Sequence, residues 1–155
     1  MCSKRLKDIS RILFESKVRN VLKIKSDMKK DFDKWNKIKK EIHENEVGKF
    51  YHAREIWWCS LGENIGFEQD GNGAEYQRPV LILKGLSKNT CLIIPLTTSS
   101  NKHPMRVSVG IIEGKDASVI ISQMRVVDTK RLINKIGFAD KKIFEVIRKI
   151  VKDML

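Results

Sequence analysis

The chain has 155 residues, 41% of them hydrophobic, and its 31 Lys/Arg against 19 Asp/Glu leave a formal net charge of +12. That apolar content suits one folded core and excludes a disordered tail, and no apolar run approaches the roughly 18–20 residues of a membrane-spanning helix. Three cysteines (Cys2, Cys59, Cys91) with no C-x-x-C pair indicate neither a disulfide framework nor a zinc knuckle. The opening Met1-Cys2-Ser3-Lys4-Arg5 leads into charged residues rather than an apolar signal core, so a cytoplasmic protein is expected. The positive field suits a polyanion without choosing one.

Residues 1–50 carry 15 Lys/Arg and 8 Asp/Glu with one glycine and no proline. The other eight glycines and all three prolines fall in 51–155. The first fifty residues therefore read as a basic helical extension, and residues 51–155 as a domain of strands and turns. In the first helical stretch, Leu6, Ile9, Leu13, Phe14, Val18, Val21 and Leu22 recur at spacings of three and four. In the second, Met28, Phe32, Trp35, Ile38 and Ile42 form one stripe, with the cap-type pair Ser26-Asp27 marking a break between the two. Such helices either pack on the remaining protein with a solvated basic face or contact RNA or a partner.

From Arg54 the pattern changes. Residues 56–61 form a strand candidate, followed by a polar, glycine-bearing loop from Gly62 to Gln77. Residues 79–83 and 90–96 are aliphatic and β-branched runs too short for helices, and Gly85-Leu86-Ser87-Lys88-Asn89 between them reads as a hairpin turn. Further strands are expected at 106–112, 118–122 and 124–128. A terminal helix follows, capped by Asp140 and burying Ile143, Phe144, Ile147, Ile150 and Val151. Short strands at regular spacing predict an α+β chain, mainly β, built as a small antiparallel barrel.

The polar loop is longer than packing requires, and long loops on barrels often bind ligands. Arg78 stands at its junction with a strand, held extended by Pro79, and there it can offer its planar fork to a phosphate or remain a solvated surface residue. Thr97, Thr98 and Ser99 end another strand ahead of Lys102 and His103; their hydroxyls can donate to phosphate oxygens or satisfy local backbone groups. Ser122, Gln123 and Arg125 can read RNA or form the polar face of a strand. His43, His52 and His103 lack metal-ligand spacing, and Trp57 and Trp58 are expected in the core or an interface.

Glu68-Gln69, Arg78-Pro79-Val80-Leu81-Ile82-Leu83, Pro95-Leu96-Thr97 and residues 122–132 follow one another as four motifs. In that order and spacing, with Arg54-Glu55-Ile56-Trp57 and the closing helix, the chain resembles the MazF/PemK toxin endoribonucleases over residues 53–155. The resemblance implies an SH3-like β-barrel and a homodimer with RNA in a groove across it. It also implies cleavage of single-stranded mRNA without metal or other cofactor, giving a 2′,3′-cyclic phosphate and a 5′-hydroxyl. A cognate antitoxin is implied as partner, with operator DNA reached through the toxin–antitoxin complex, and no membrane.

By position, Arg78 and Thr97 match the family's catalytic pair, and Glu68, Gln69, Thr98, Ser99, Lys102, Ser122, Gln123 and Arg125 fall where RNA would lie. Phe67 and Ser122 depart from the histidine and acidic residues of some relatives. The general base is therefore open among Glu68, Asp70, Glu75 and His103. Two other readings stand beside the nuclease: a non-catalytic nucleic-acid-binding barrel working with an antitoxin, and a toxin that poisons a topoisomerase.

Overall fold

The computed structural model describes residues 11–21 and 29–155, and the chain divides into two compact units, 1–31 and 32–155. In the first unit, residues 11–21 form α1, which carries Leu13, Phe14, Val18 and Val21 of the first predicted stripe. Leu6, Ile9, Leu22, the Ser26-Asp27 break and Met28 lie outside the described residues. Among the described residues, no helix is long and apolar enough to cross a membrane.

The second unit begins with α2 (Phe32–Asn45). Seven strands follow: β1 (Glu55–Ser60), β2 (Gln77–Gly85), β3 (Thr90–Thr97), β4 (Arg106–Ile112), β5 (Lys115–Ile120), β6 (Arg125–Asp128) and β7 (Leu132–Phe138). They pair antiparallel throughout in the order β4-β5-β3-β2-β1-β7, with β6 also on β3. The result is a curled half-barrel. β3 changes neighbours along its length, pairing with β6 from Thr90 to Ile93 and with β5 at Leu96 and Thr97. Pro95 sits at this changeover, where the ladder on that side is already interrupted and a missing N–H costs least.

The central strands are buried on both faces, which is why they read as unbroken apolar runs rather than alternating ones. On one face Ile56, Leu81, Leu83, Ile94 and Leu96 pack with Phe144, Ile147 and Val151 of α3 (Lys141–Met154). On the other, Trp57, Cys59, Leu61, Val80, Ile82 and Ile93 form a second cluster. Each fully buried Leu or Ile contributes about 1.5–3 kcal/mol. The Asp140 cap of α3 forms as expected, its Oδ1 accepting from Lys142 N at 2.9 Å and Ile143 N at 3.2 Å.

Most strand ends lie within one or two residues of expectation, and two strands differ by more. β5 begins at Lys115 and ends at Ile120, with residues 121–123 turning into a single 3₁₀ turn. β7, absent from the expected elements, is an edge strand, largely exposed, with Asn134 and Lys135 at its centre, and its pairing with β1 contains register shifts.

α2 anchors through Trp35, the buried member of its stripe, while Ile38 and Ile42 are half-buried and Phe32 is exposed. The Trp35 ring meets Tyr76 edge-on at 5.8 Å and lies 5.5 Å beneath the Arg131 guanidinium. Gly62 has φ +84°, and a Cβ there would stand 2.1 Å from the Trp35 ring, so only glycine fits.

Glu55 is a buried charge in β1. Its carboxylate accepts from His52 N at 3.0 Å and the Trp57 indole at 2.8 Å, and it pairs with Lys135 at 3.3 Å. Burial pushes its pKa up, but the hydrogen bonds from His52, Trp57 and Lys135 outweigh it and hold the group below its ordinary 4.5. A depressed folded pKa stabilises the protein above the unfolded value and loses that contribution as pH falls through the folded one. Melting at neutral pH and at pH about 3 should therefore show a larger acid loss for the wild type than for Glu55→Gln.

Candidate active site

The loop from Gly62 to Gln77 is built, not slack. Asn64 donates from its backbone N to Asp70 Oδ1 at 2.6 Å and from Nδ2 to Gln69 O at 3.0 Å. Gly71 N reaches Gly62 O at 2.9 Å, and a Cβ on Gly71 would lie 1.7 Å from Tyr76 O, so the backbone itself closes here. Gln123 clamps the loop tip: its Oε1 accepts from Gln69 N at 3.0 Å and its Nε2 donates to Phe67 O at 3.1 Å. Arg125 donates from Nη2 to Gln69 O. Burial first, then the neighbouring Arg131, lowers the Arg125 pKa. Two of the residues expected to meet RNA thus hold the loop by its backbone.

Arg78 is 9% exposed and opposes Cys59 in the β1–β2 ladder. Its Nε donates to Asp70 O at 2.6 Å, Nη1 to Leu96 O at 2.9 Å and Nη2 to Asn72 Oδ1 at 3.0 Å. With its amide turned over to bring the oxygen to the guanidinium, Gln69 would accept from Nη2 at 2.9 Å. Every one of these acceptors is neutral. Burial lowers the Arg78 pKa, the charge of Asp70 opposes that shift, and Arg125 adds to it. A buried cation whose hydrogen-bond acceptors are neutral, with one carboxylate and one second guanidinium acting on it from nearby, still gains from an anion brought to it.

The bond to Leu96 O ties Arg78 to the residue preceding Thr97. Both side chains line one cavity of about 220 Å³, together with Trp58, Thr98, Glu113 and Lys115. Thr97 Oγ1 accepts from Ser99 N at 3.1 Å, which leaves its O–H to donate. Ser99 Oγ is engaged by Asn101 N and by Arg106 Nη1 at 3.3 Å. Lys102 and Ser122 are exposed, and neither lines the cavity. Glu68 faces a different depression beside Trp35 and Arg131.

The cavity contains residues the sequence did not single out: Asn72, Glu113 and Lys115. Trp57 is buried as expected, whereas Trp58 is half-buried and forms part of the cavity wall. The buried thiols offer no nucleophile: burial pushes Cys59 up to about 12 and Cys91 up to about 11. Among the described residues, no group of three or more His, Cys, Asp or Glu converges as a metal site.

A family described as PemK-like, MazF-like toxins of type II toxin–antitoxin systems matches residues 52–155. The chain belongs to this family. Curated proteins yield no match to the chain. Among solved structures it is similar to MazF from Deinococcus radiodurans, at 20% identity and TM-score 0.58, covering 68% of this chain and 96% of that one. It is also similar to the Mycobacterium tuberculosis toxin MazF-mt6, at 17% identity and TM-score 0.51, over 64% and 94% of the two chains. A third is a mycobacterial endoribonuclease in complex with its cognate antitoxin, at 15% identity and TM-score 0.50, over 67% and 93%. At these identities the structural likeness speaks for the MazF fold, an antiparallel half-barrel, to which α1 and α2 add a helical N-terminal extension.

Proposed function

We infer that this MazF/PemK-family toxin is a metal-independent endoribonuclease that cleaves single-stranded mRNA at particular sequences, leaving 2′,3′-cyclic phosphate and 5′-hydroxyl ends. The observation that carries the reading is Arg78, a buried guanidinium that hydrogen-bonds to Asp70 O, Leu96 O and Asn72 Oδ1, all neutral acceptors, on the wall of the cavity that Thr97 also lines. RNA brings its own nucleophile, the 2′-hydroxyl. The protein has to align it with the phosphorus and stabilise charge on the non-bridging oxygens. Arg78 supplies that charge and Thr97 a further hydrogen bond. The loop residues around Glu68 and Gln69, Thr98, Ser99 and Lys102 in the loop after β3, and exposed Ser122 flank the path of the RNA. Gln123 and Arg125 shape that path through the loop they hold.

The family supports a homodimer, action in the cytoplasm where mRNA is met, and a cognate antitoxin, as the mycobacterial relative has. A net charge of +12 supports a polyanionic substrate and, through the antitoxin complex, operator DNA. One observation favours a binding-only barrel instead: Arg78 also serves as a clamp for Asp70, Asn72 and Leu96. Incubating the purified protein with a long single-stranded RNA in EDTA separates the two. Discrete cuts ending in cyclic phosphate are expected; binding without cuts would leave the clamp as the role of Arg78.

A further inference from the structure

In-line attack by a 2′-hydroxyl needs a group to take its proton, and a guanidinium does not serve, its pKa exceeding about 12. Each base suggested by the sequence makes its hydrogen bond away from the cavity of Arg78 and Thr97. Glu68 Oε2 accepts from Ile65 N, Asp70 Oδ1 from Asn64 N, Glu75 Oε2 from Gln77 Nε2, and His103 Nδ1 from Met105 N. None of the four lines the cavity of Arg78 and Thr97.

Glu113 does, and among the described residues it is the one carboxylate that lines it. Its Oε2 accepts from the indole N–H of Trp58 at 3.2 Å, a contact from one cavity wall to another across 55 residues of sequence. Its backbone is unusual too. Ile112 pairs with Lys115, so Glu113 and Gly114 form a two-residue hairpin loop with φ +48° and +78°. Both positive values mark a type I′ turn, whose first central position favours Asn, Asp or Gly. A glutamate held there is strained, and strain of this kind gathers at functional positions. A carboxylate facing the same cavity as Arg78 also repels the phosphate that a basic chain attracts, which works against binding and calls for another role.

We propose that Glu113 is the general base of the cleavage, an assignment that rests on the nuclease reading above. A Glu113 carboxylate oxygen takes the proton of the 2′-hydroxyl as the O2′–P bond forms. The P–O5′ bond then breaks, and the 5′-oxygen leaves with a proton from water. Arg78 holds the non-bridging oxygens, and Trp58 Nε1 orients the carboxylate. Arg78 and Lys115 are the charged groups that share the cavity with Glu113.

The test compares wild type, Glu113→Gln and Glu113→Asn on one RNA in EDTA, with cleavage rate across pH, RNA affinity and melting temperature measured for each. Glu113→Gln keeps an acceptor for Trp58. It should cleave about 10²–10⁴-fold more slowly, lose the acid limb of the pH–rate profile and bind RNA at least as tightly. Glu113→Asn creates the preferred Asn-Gly turn, so it should also lose cleavage while melting about 2–4 °C higher. A Glu113→Gln protein that cleaves like wild type overturns the assignment, as does one that loses cleavage and RNA binding together. A wild type that binds RNA without cutting it overturns the nuclease reading instead.

Discussion

Arg78→Ala is expected to reduce RNA cleavage on the order of 10²–10³-fold, the usual cost of removing one donor aimed at developing charge. The same change strips partners from Asp70 O, Leu96 O and Asn72 Oδ1, each of which costs about 1–3 kcal/mol if left buried without a hydrogen bond. Arg78→Lys separates the two effects. It restores the charge but not the fork, so the loop should stay loosened and cleavage should recover only in part. Cleavage rates and thermal melts of both variants check this. If Arg78→Ala cuts RNA at the wild-type rate, the guanidinium is a structural clamp alone.

Trp35→Ala should give the largest loss of stability, about 3–5 kcal/mol and so roughly a 10 °C or greater drop in melting temperature. Trp35 is the buried anchor of α2, wedged against Gly62, edge-on to Tyr76 and beneath Arg131. Gly62 and Tyr76 are the two ends of the loop that holds Arg78, with Leu61 N and Gly62 N both donating to Tyr76 O. Cleavage should therefore fall along with stability, although Trp35 does not line the cavity of Arg78 and Thr97. Gly62→Ala, which drives a Cβ into the same indole at a positive φ, should reproduce both losses. Calorimetry and cleavage assays on the two variants decide this; wild-type stability in Trp35→Ala would mean that α2 adds nothing to the second unit.

The elements most legible in the sequence are those set by local chemistry. β2 and β3 show as apolar runs broken by a Gly-Ser-Asn turn, and α3 shows as an amphipathic stripe behind the Asp140 cap. β7 was hidden because Asn134, Lys135 and Gly137 suit an edge strand and a bulged ladder, not an alternating pattern. Arg78 was visible through its proline neighbour, and Thr97 through its place at a strand end. The rest of the cavity was not visible, because it depends on long-range pairing. Glu113 reaches Trp58 only through the β4–β5 hairpin, and Gln123 reaches the loop only through the fold of β3 onto β5 and β6. A polar residue 54 positions from its partner carries no sign of that bond in its own neighbourhood.

The most direct test of a ribose-driven reaction between Arg78 and Thr97 uses two RNA oligonucleotides that span a mapped cut. They are identical except that one carries 2′-deoxyribose on the 5′ side of the cut bond. In EDTA, wild-type protein should bind both with similar affinity and cleave only the one that keeps its 2′-hydroxyl. Cleavage of the deoxy-substituted strand at that bond would contradict the account, since the attacking oxygen would then come from elsewhere.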